Sequence, residues 1–220
     1  MFATLATSLT GCGSTISAAQ TNSSITTVSS VGPPAQAAVM GKPSEVLPLV
    51  ASGNGWTAQG LEGHVPAVGT CHYRYSGTWV LPDPNCTPGS VTPLVTSYNL
   101  SLTICKRGYS TSARPPVSLT EPAKYALMRA YGLTGSPSRY EFDHLIPLEL
   151  GGSSNLANLW PEPNQGIPST FDTYSHYGLN AKDGVESQSN YAVCDRGYSL
   201  RLAQQEMARN WVLAHQEMPN

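Results

Sequence analysis

Aspartate and histidine stand side by side at Asp143 and His144, and within the next twenty residues come Pro147, Gly151-Gly152, Asn158 and the run Trp160-Pro-Glu-Pro163. Imidazole is the side chain whose ordinary pKa lets it take and release a proton near neutral pH. A neighbouring carboxylate is a hard oxygen ligand that suits Mg²⁺, an ion that keeps several waters and needs only one or two protein ligands. A base beside a cation is what hydrolysis of a phosphodiester requires: one takes a proton from water, the other offsets charge growing on the phosphate and the leaving oxygen.

For these groups to act together, the chain must bend at the pair. Tyr140 and Phe142 alternate with Glu141 and Asp143, the pattern of a half-buried strand. Successive strand residues point to opposite faces, so Asp143 and His144 meet one ligand only where the strand bends or ends, and Pro147 supplies that ending. Gly151-Gly152 predicts a tight reversal, with Ser153, Ser154 and Asn155 continuing it as loop. A second apolar run, Leu156 to Trp160, returns toward the first and is closed by Pro161. The expected unit is a two-stranded finger with Asp143 and His144 at its rim and Asn158 in the return strand.

Over Glu141 to Pro163 this order resembles the HNH, or ββα-metal (His-Me finger), nucleases. Exported bacterial members of that type commonly follow the finger with a helix opening Asn/His-x-Lys-Asp-x-x-Glu, matched here by Asn180 to Glu186. A Pro-Asp-Pro, Cys-Thr-Pro-Gly, Thr-Ile-Cys and Arg-Pro-Pro-Val-Ser run ahead of the finger is similar too, so the resemblance covers most of residues 82 to 216. Carried over, it implies His144 as general base, Asp143 as metal ligand, Asn158 as the residue pinning the finger loop and Asn180 as second metal ligand from the helix, with Mg²⁺ as the ion. Asn180 has an equally good local reading as a helix N-cap with Asp183 at N3. Asn164 is the competing ligand if the site closes directly after the second strand. Glu162, Lys182 and His176 stand as further candidates.

The chain has 12 basic and 14 acidic residues among 220, a formal net charge of −2. Bulk charge therefore does not draw nucleic acid, and any attraction to phosphate must be local. Between residues 101 and 135, Lys106, Arg107, Arg114, Lys124 and Arg129 face one acid, Glu121. Of these, Lys106, Arg107 and Arg114 are the expected nucleic-acid contacts; a solvated face is the plain alternative.

Residues 1–12 end in Leu-Thr-Gly-Cys, which resembles a bacterial lipoprotein signal and implies lipidation of Cys12, although no Lys or Arg precedes the short apolar run. The segment is too short to span a bilayer. Residues 13–55, rich in Ser, Thr, Ala and Pro, read as a disordered tether, and 56–220 as the folded domain with its finger core at 138–193. In that domain the sequence predicts a hairpin of residues 70–75 and 78–81, a helix over Glu121–Tyr131 capped by Thr120, a helix over about Ala181–Val193, and a last helix from Ser199 to about His215. Leu200, Ala203, Met207, Trp211 and Val212 fall on one face of the last.

With Cys12 set aside, Cys71, Cys86, Cys105 and Cys194 form an even set that admits three pairings. Cys71–Cys86 with Cys105–Cys194 is the favoured one. Zinc is the alternative, but no Cys-x-x-Cys supports it. The expected fold is α+β: a ββα-metal finger with flanking helices and an N-terminal hairpin region, behind a disordered tail. The expected function is metal-dependent endonucleolytic cleavage of DNA, or of RNA, with low sequence specificity, by an exported protein that is secreted or lipid-anchored in the cell envelope. The alternatives are a non-catalytic exported module that keeps the finger fold, and an envelope protein whose partner is protein or glycan.

Overall fold

The structure is a computed structural model and describes residues 47–165 and 180–219. Cys12 and His176 lie outside them, as does most of the expected tether. The architecture is α+β, a set of helices around small sheets. Six short strands come first: β1 (Leu49–Val50), β2 (Trp56–Thr57), β3 (Gly60–Leu61), β4 (Arg74–Ser76), β5 (Trp79–Leu81) and β6 (Ser90–Val91). Then follow helices α1 (Tyr109–Ala113) and α2 (Val117–Ala130), strands β7 (Tyr140–His144) and β8 (Leu159–Pro163), and helices α3 (Ala181–Arg196) and α4 (Leu200–Glu217). None of the described helices is long and apolar enough to cross a membrane.

β7 and β8 pair antiparallel from Tyr140↔Pro163 to His144↔Leu159. Two prolines in β8 are tolerated because the sheet has only two strands and its outer edge needs no ladder donors. That edge is occupied from outside instead, where the Tyr73 hydroxyl donates to the Pro161 carbonyl. One side of the pair packs on α2, where Phe142, Leu156 and Leu159 join Leu127, Ala130 and Tyr131. On the other side Trp160 packs with Val80 and Leu145, and Lys182 of α3 bonds Asp143. The largest core joins α3 and α4 through Val185, Ala192, Ala203, Met207 and Trp211, with Ile146 and Leu150 of the finger loop packed into the same cluster.

The loop between β7 and β8 holds its shape through its own polar groups. Gly151 sits at φ +73°, and a Cβ on Gly152 would lie 1.8 Å from the Ile146 carbonyl oxygen, so the expected reversal needs both glycines. Asn158, wholly buried, accepts from the Ser90 and Ile146 N–H groups at 3.2 and 3.0 Å and donates to the Ile146 and Ser153 carbonyls at 2.9 and 2.8 Å. The return strand begins at Leu159, three residues after the position expected. The Asn155 side chain accepts from Ala157 N–H at 2.9 Å and winds Leu156–Asn158 into a 3₁₀ turn.

Other boundaries also move. The fold begins before Trp56: β1 pairs parallel with β6, Leu49 N–H bonding the Gly89 carbonyl at 3.0 Å and Ala51 N–H the Val91 carbonyl at 2.9 Å. Residues 49–55 are thus part of the folded unit and not tether, held by backbone bonds that composition does not report. α2 starts at Val117, after Pro116, and Thr120 is inside it, its hydroxyl turned to the Val117 carbonyl. α3 runs on to Arg196 and ends at Gly197, φ +68°. α4 is interrupted at Asn210, whose carboxamide oxygen accepts from Val212 and Leu213 N–H as a cap within the helix. Its expected apolar face is buried throughout.

Both favoured disulfides are present. Cys71–Cys86 clamps the hairpin region, and Cys105–Cys194 ties the segment before α1 to the end of α3. The sequence separations of 15 and 89 residues set their relative worth. Replacing Cys71 and Cys86 by Ser is expected to cost about 3 kcal/mol, and replacing Cys105 and Cys194 about 4–5 kcal/mol, by loop-closure entropy, measured by denaturant unfolding. Asn158→Ala is expected to cost about 3–5 kcal/mol, because it strands four buried backbone groups. The corresponding fall in melting temperature is roughly 10 °C, and an unchanged melt would show the loop to be held by something else.

Candidate functional site

Strand alternation puts Glu141 and Asp143 on the face of β7 that meets α3, and β8 adds Glu162 and Trp160 as their cross-strand partners. Asp143 Oδ2 accepts from Trp160 Nε1 at 2.8 Å and lies 2.9 Å from Lys182 Nζ. Lys182 is 1% exposed. Its ammonium also donates to the His144 carbonyl at 2.7 Å and to Glu186 Oε1 at 2.5 Å. Three donors meet three oxygens, which is all an ammonium can make. Burial pushes its pKa down, but Asp143, Glu186 and Glu162 outweigh that effect and hold the lysine charged.

The acids around it outnumber it. Glu162 is 3% exposed and its carboxyl has no hydrogen bond or ion pair among the described residues. Burial, followed by the charge of Asp143, pushes its pKa well above the usual carboxylate range. Glu141, directly across from it, is raised to about 7 by burial and by Asp143 and Asp183, although a hydrogen bond from Asn180 Nδ2 at 3.0 Å works against the rise.

His144 ends the strand and takes a different partner from Asp143: its Nε2 lies 2.9 Å from Ser154 Oγ. The residue is 6% exposed. Burial first, then the positive charges of Arg114 and Lys182, lower its pKa to about 3. It is therefore a neutral imidazole at physiological pH, with Nδ1 making no hydrogen bond among the described residues.

The other expected site residues separate into three groups. Asn158 pins the loop, as described above. Asn180 takes its capping reading: it precedes α3 with its N–H bonded to Asp183 Oδ2 at 2.9 Å, while its carboxamide reaches the acidic face, with Oδ1 accepting the Gln165 N–H at 3.0 Å. Asn164 is exposed and turned away, donating to the Ser138 carbonyl at 3.0 Å. Lys106 and Arg107 line a cleft of about 270 Å³ with Glu149 and Asn190. Arg114, exposed, acts electrostatically on both Glu149 and His144. Lys124, by contrast, donates to the Tyr140 carbonyl at 2.6 Å and lines a separate hollow with Val117 and Phe142, so the five-residue patch is not one face.

A divalent ion held by Asp143 and Asn180 does not fit this arrangement. The carboxylate oxygen is shared by an indole N–H and an ammonium, and the carboxamide oxygen is turned to a backbone N–H. Among the described residues no group of three His, Cys, Asp or Glu side chains converges on a metal position. Glu141, Ser154 and Glu186 are the contributors that sequence reading missed. Glu141 was legible two residues before Asp143 on the same strand face, and Glu186 one helical turn after Lys182; Ser154 had no signal.

No family model matches the chain, and neither does any curated protein or solved structure, so its chemistry has to come from its own residues.

The unfolded imidazole takes a proton near 6.5 and the folded one near 3. His144 thus contributes stability that is lost as pH falls through that window, the unfolded state binding the extra proton. Histidine ring resonances of His144 are expected to stay those of the neutral form from about pH 8 to about pH 5, and a midpoint near the ordinary value would refute the burial.

Proposed function

We propose that this chain hydrolyses phosphodiester bonds in nucleic acid as an endonuclease of the HNH-like kind, with His144 as general base. The observation that supports this best is the order of β7, pinned loop, β8 and α3, with Asp143 and His144 at the end of β7 and Asn158 bracing the loop behind them. Such a frame holds one imidazole in a fixed place, and its surroundings keep that imidazole unprotonated and ready to accept a proton.

In the proposed step, Nε2–H donates to Ser154 and the free Nδ1 takes a proton from water. The water oxygen bonds to phosphorus, the bond from phosphorus to the 3′-oxygen breaks, and the departing oxygen takes a proton from solvent water while His144 returns its proton to solvent. A pKa of about 3 makes a weak base, but an incoming phosphodiester brings negative charge to the exposed Arg114, which offsets that cation's effect and raises the basicity when substrate is bound. Arg114, exposed and acting electrostatically on His144, is the cation proposed to meet that phosphate, with Lys106 and Arg107 extending the contact along the backbone. Contacts of this kind give little sequence specificity. The two disulfides suit an oxidising compartment, and action outside the cytoplasm belongs to the proposal.

The closed Asp143–Lys182 pair favours a second reading, a module that binds nucleic acid without cutting it.

The test is incubation of the full chain with supercoiled plasmid, in Mg²⁺ and separately in chelator, beside His144→Ala. Nicking that falls about 10²–10⁴-fold in the variant supports the enzyme, and retention of plasmid without nicking supports the binder. Arg114→Ala is expected to weaken binding and to reduce the slope of log affinity against log salt by about one.

A further inference from the structure

A buried ion pair seldom contributes much to stability, because removing each charge from water costs several kcal/mol, and an apolar pair of equal volume often does as well. Lys182 therefore calls for a reason beyond stability. It is among the most buried large side chains described, and two of its three oxygens come from the two residues on which the proposed chemistry turns. They are the carboxylate of Asp143, the carbonyl of His144 and, one turn along α3, Glu186. It enters a face with more carboxyl groups than it can pair: Glu141, Asp143, Glu162 and Glu186 gather around a single ammonium, and Glu162 is buried with no partner of its own among the described residues. A cation is what this face requires, and the chain provides one on a tether.

We propose that Lys182 is the resident cation of the site. Its ammonium occupies the place on Asp143 that a divalent ion would otherwise take, and through the His144 carbonyl it fixes the end of β7 and with it the imidazole. Lys182 is a positioning residue; at 1% exposure it does not touch substrate. Asp143 in the native chain holds an internal salt bridge and no metal, and removing the ammonium uncovers an acidic pocket of the oxygen ligands that hard divalent ions prefer. The inference rests on the hydrolase reading only for what the cation does in catalysis; its cation-binding test does not depend on it.

The probe is Mn²⁺. In amide NMR spectra of the native full chain, substoichiometric Mn²⁺ is expected to leave the Asp143, His144 and Lys182 resonances no more broadened than the rest. Lys182→Met keeps the length of the side chain and removes the charge. It is expected to melt lower than the native chain and to recover several degrees on addition of Mn²⁺, with selective broadening at Asp143. Should Lys182→Met fail to fold with its carboxylates unpaired, Lys182→Met combined with Glu186→Gln removes one of them and carries the same expectation. Selective broadening in the native chain overturns the proposal, as does a folded variant that gains no response to Mn²⁺. Failure of the nuclease reading shows separately, as plasmid that is never nicked under either condition.

Discussion

One ammonium joins the strand that carries Asp143 and His144 to the helix that follows. Lys182 reaches from the first turn of α3 to the carboxylate of one residue and the carbonyl of the next, so the position of α3 and the end of β7 cannot change independently. Its attraction to Asp143 is set against the desolvation of both ions, and the two terms are of similar size. What the contact supplies is geometry. A misplacement of α3 leaves a charge buried without a partner, which costs far more than the pair contributes when it is intact.

The rest of the fold keeps that junction from moving. Asn158 closes the loop behind the pair with four hydrogen bonds, and Ile146 and Leu150 from the same loop pack into the core that joins α3 and α4. Cys105–Cys194 secures the far end of α3. The helix that bears the cation is thus held at both ends, by charge at its start and by a covalent bond near its finish. The consequence for His144 is electrostatic. Surrounded by protein, next to Ser154 and within reach of two positive charges, it stays neutral where an exposed histidine would titrate.

The same arrangement bears on the proposed polyanion partner of a chain whose net charge is −2. Four acids are turned inward around Lys182, while Lys106, Arg107 and Arg114 remain exposed. Net charge sums over both regions, but a phosphate chain meets only the outer one.

Local chemistry was enough to determine several things from sequence. Gly151-Gly152 marked a reversal because no side chain fits there; the apolar spacing in α4 marked its buried face; the even cysteine set favoured the two bridges observed. The alternation before Asp143 marked β7. Only tertiary structure decided where Lys182 points. In sequence it is one polar residue near a helix start, and nothing in its neighbours distinguishes a solvated lysine from a buried one. The parallel pairing of β1 with β6 was equally hidden, being made of backbone bonds across some forty residues. The separation of Asp143 from His144 onto different partners was hidden too: adjacency in the chain fixes which residues are neighbours, but the faces of a strand and the elements packed on each determine what those neighbours touch.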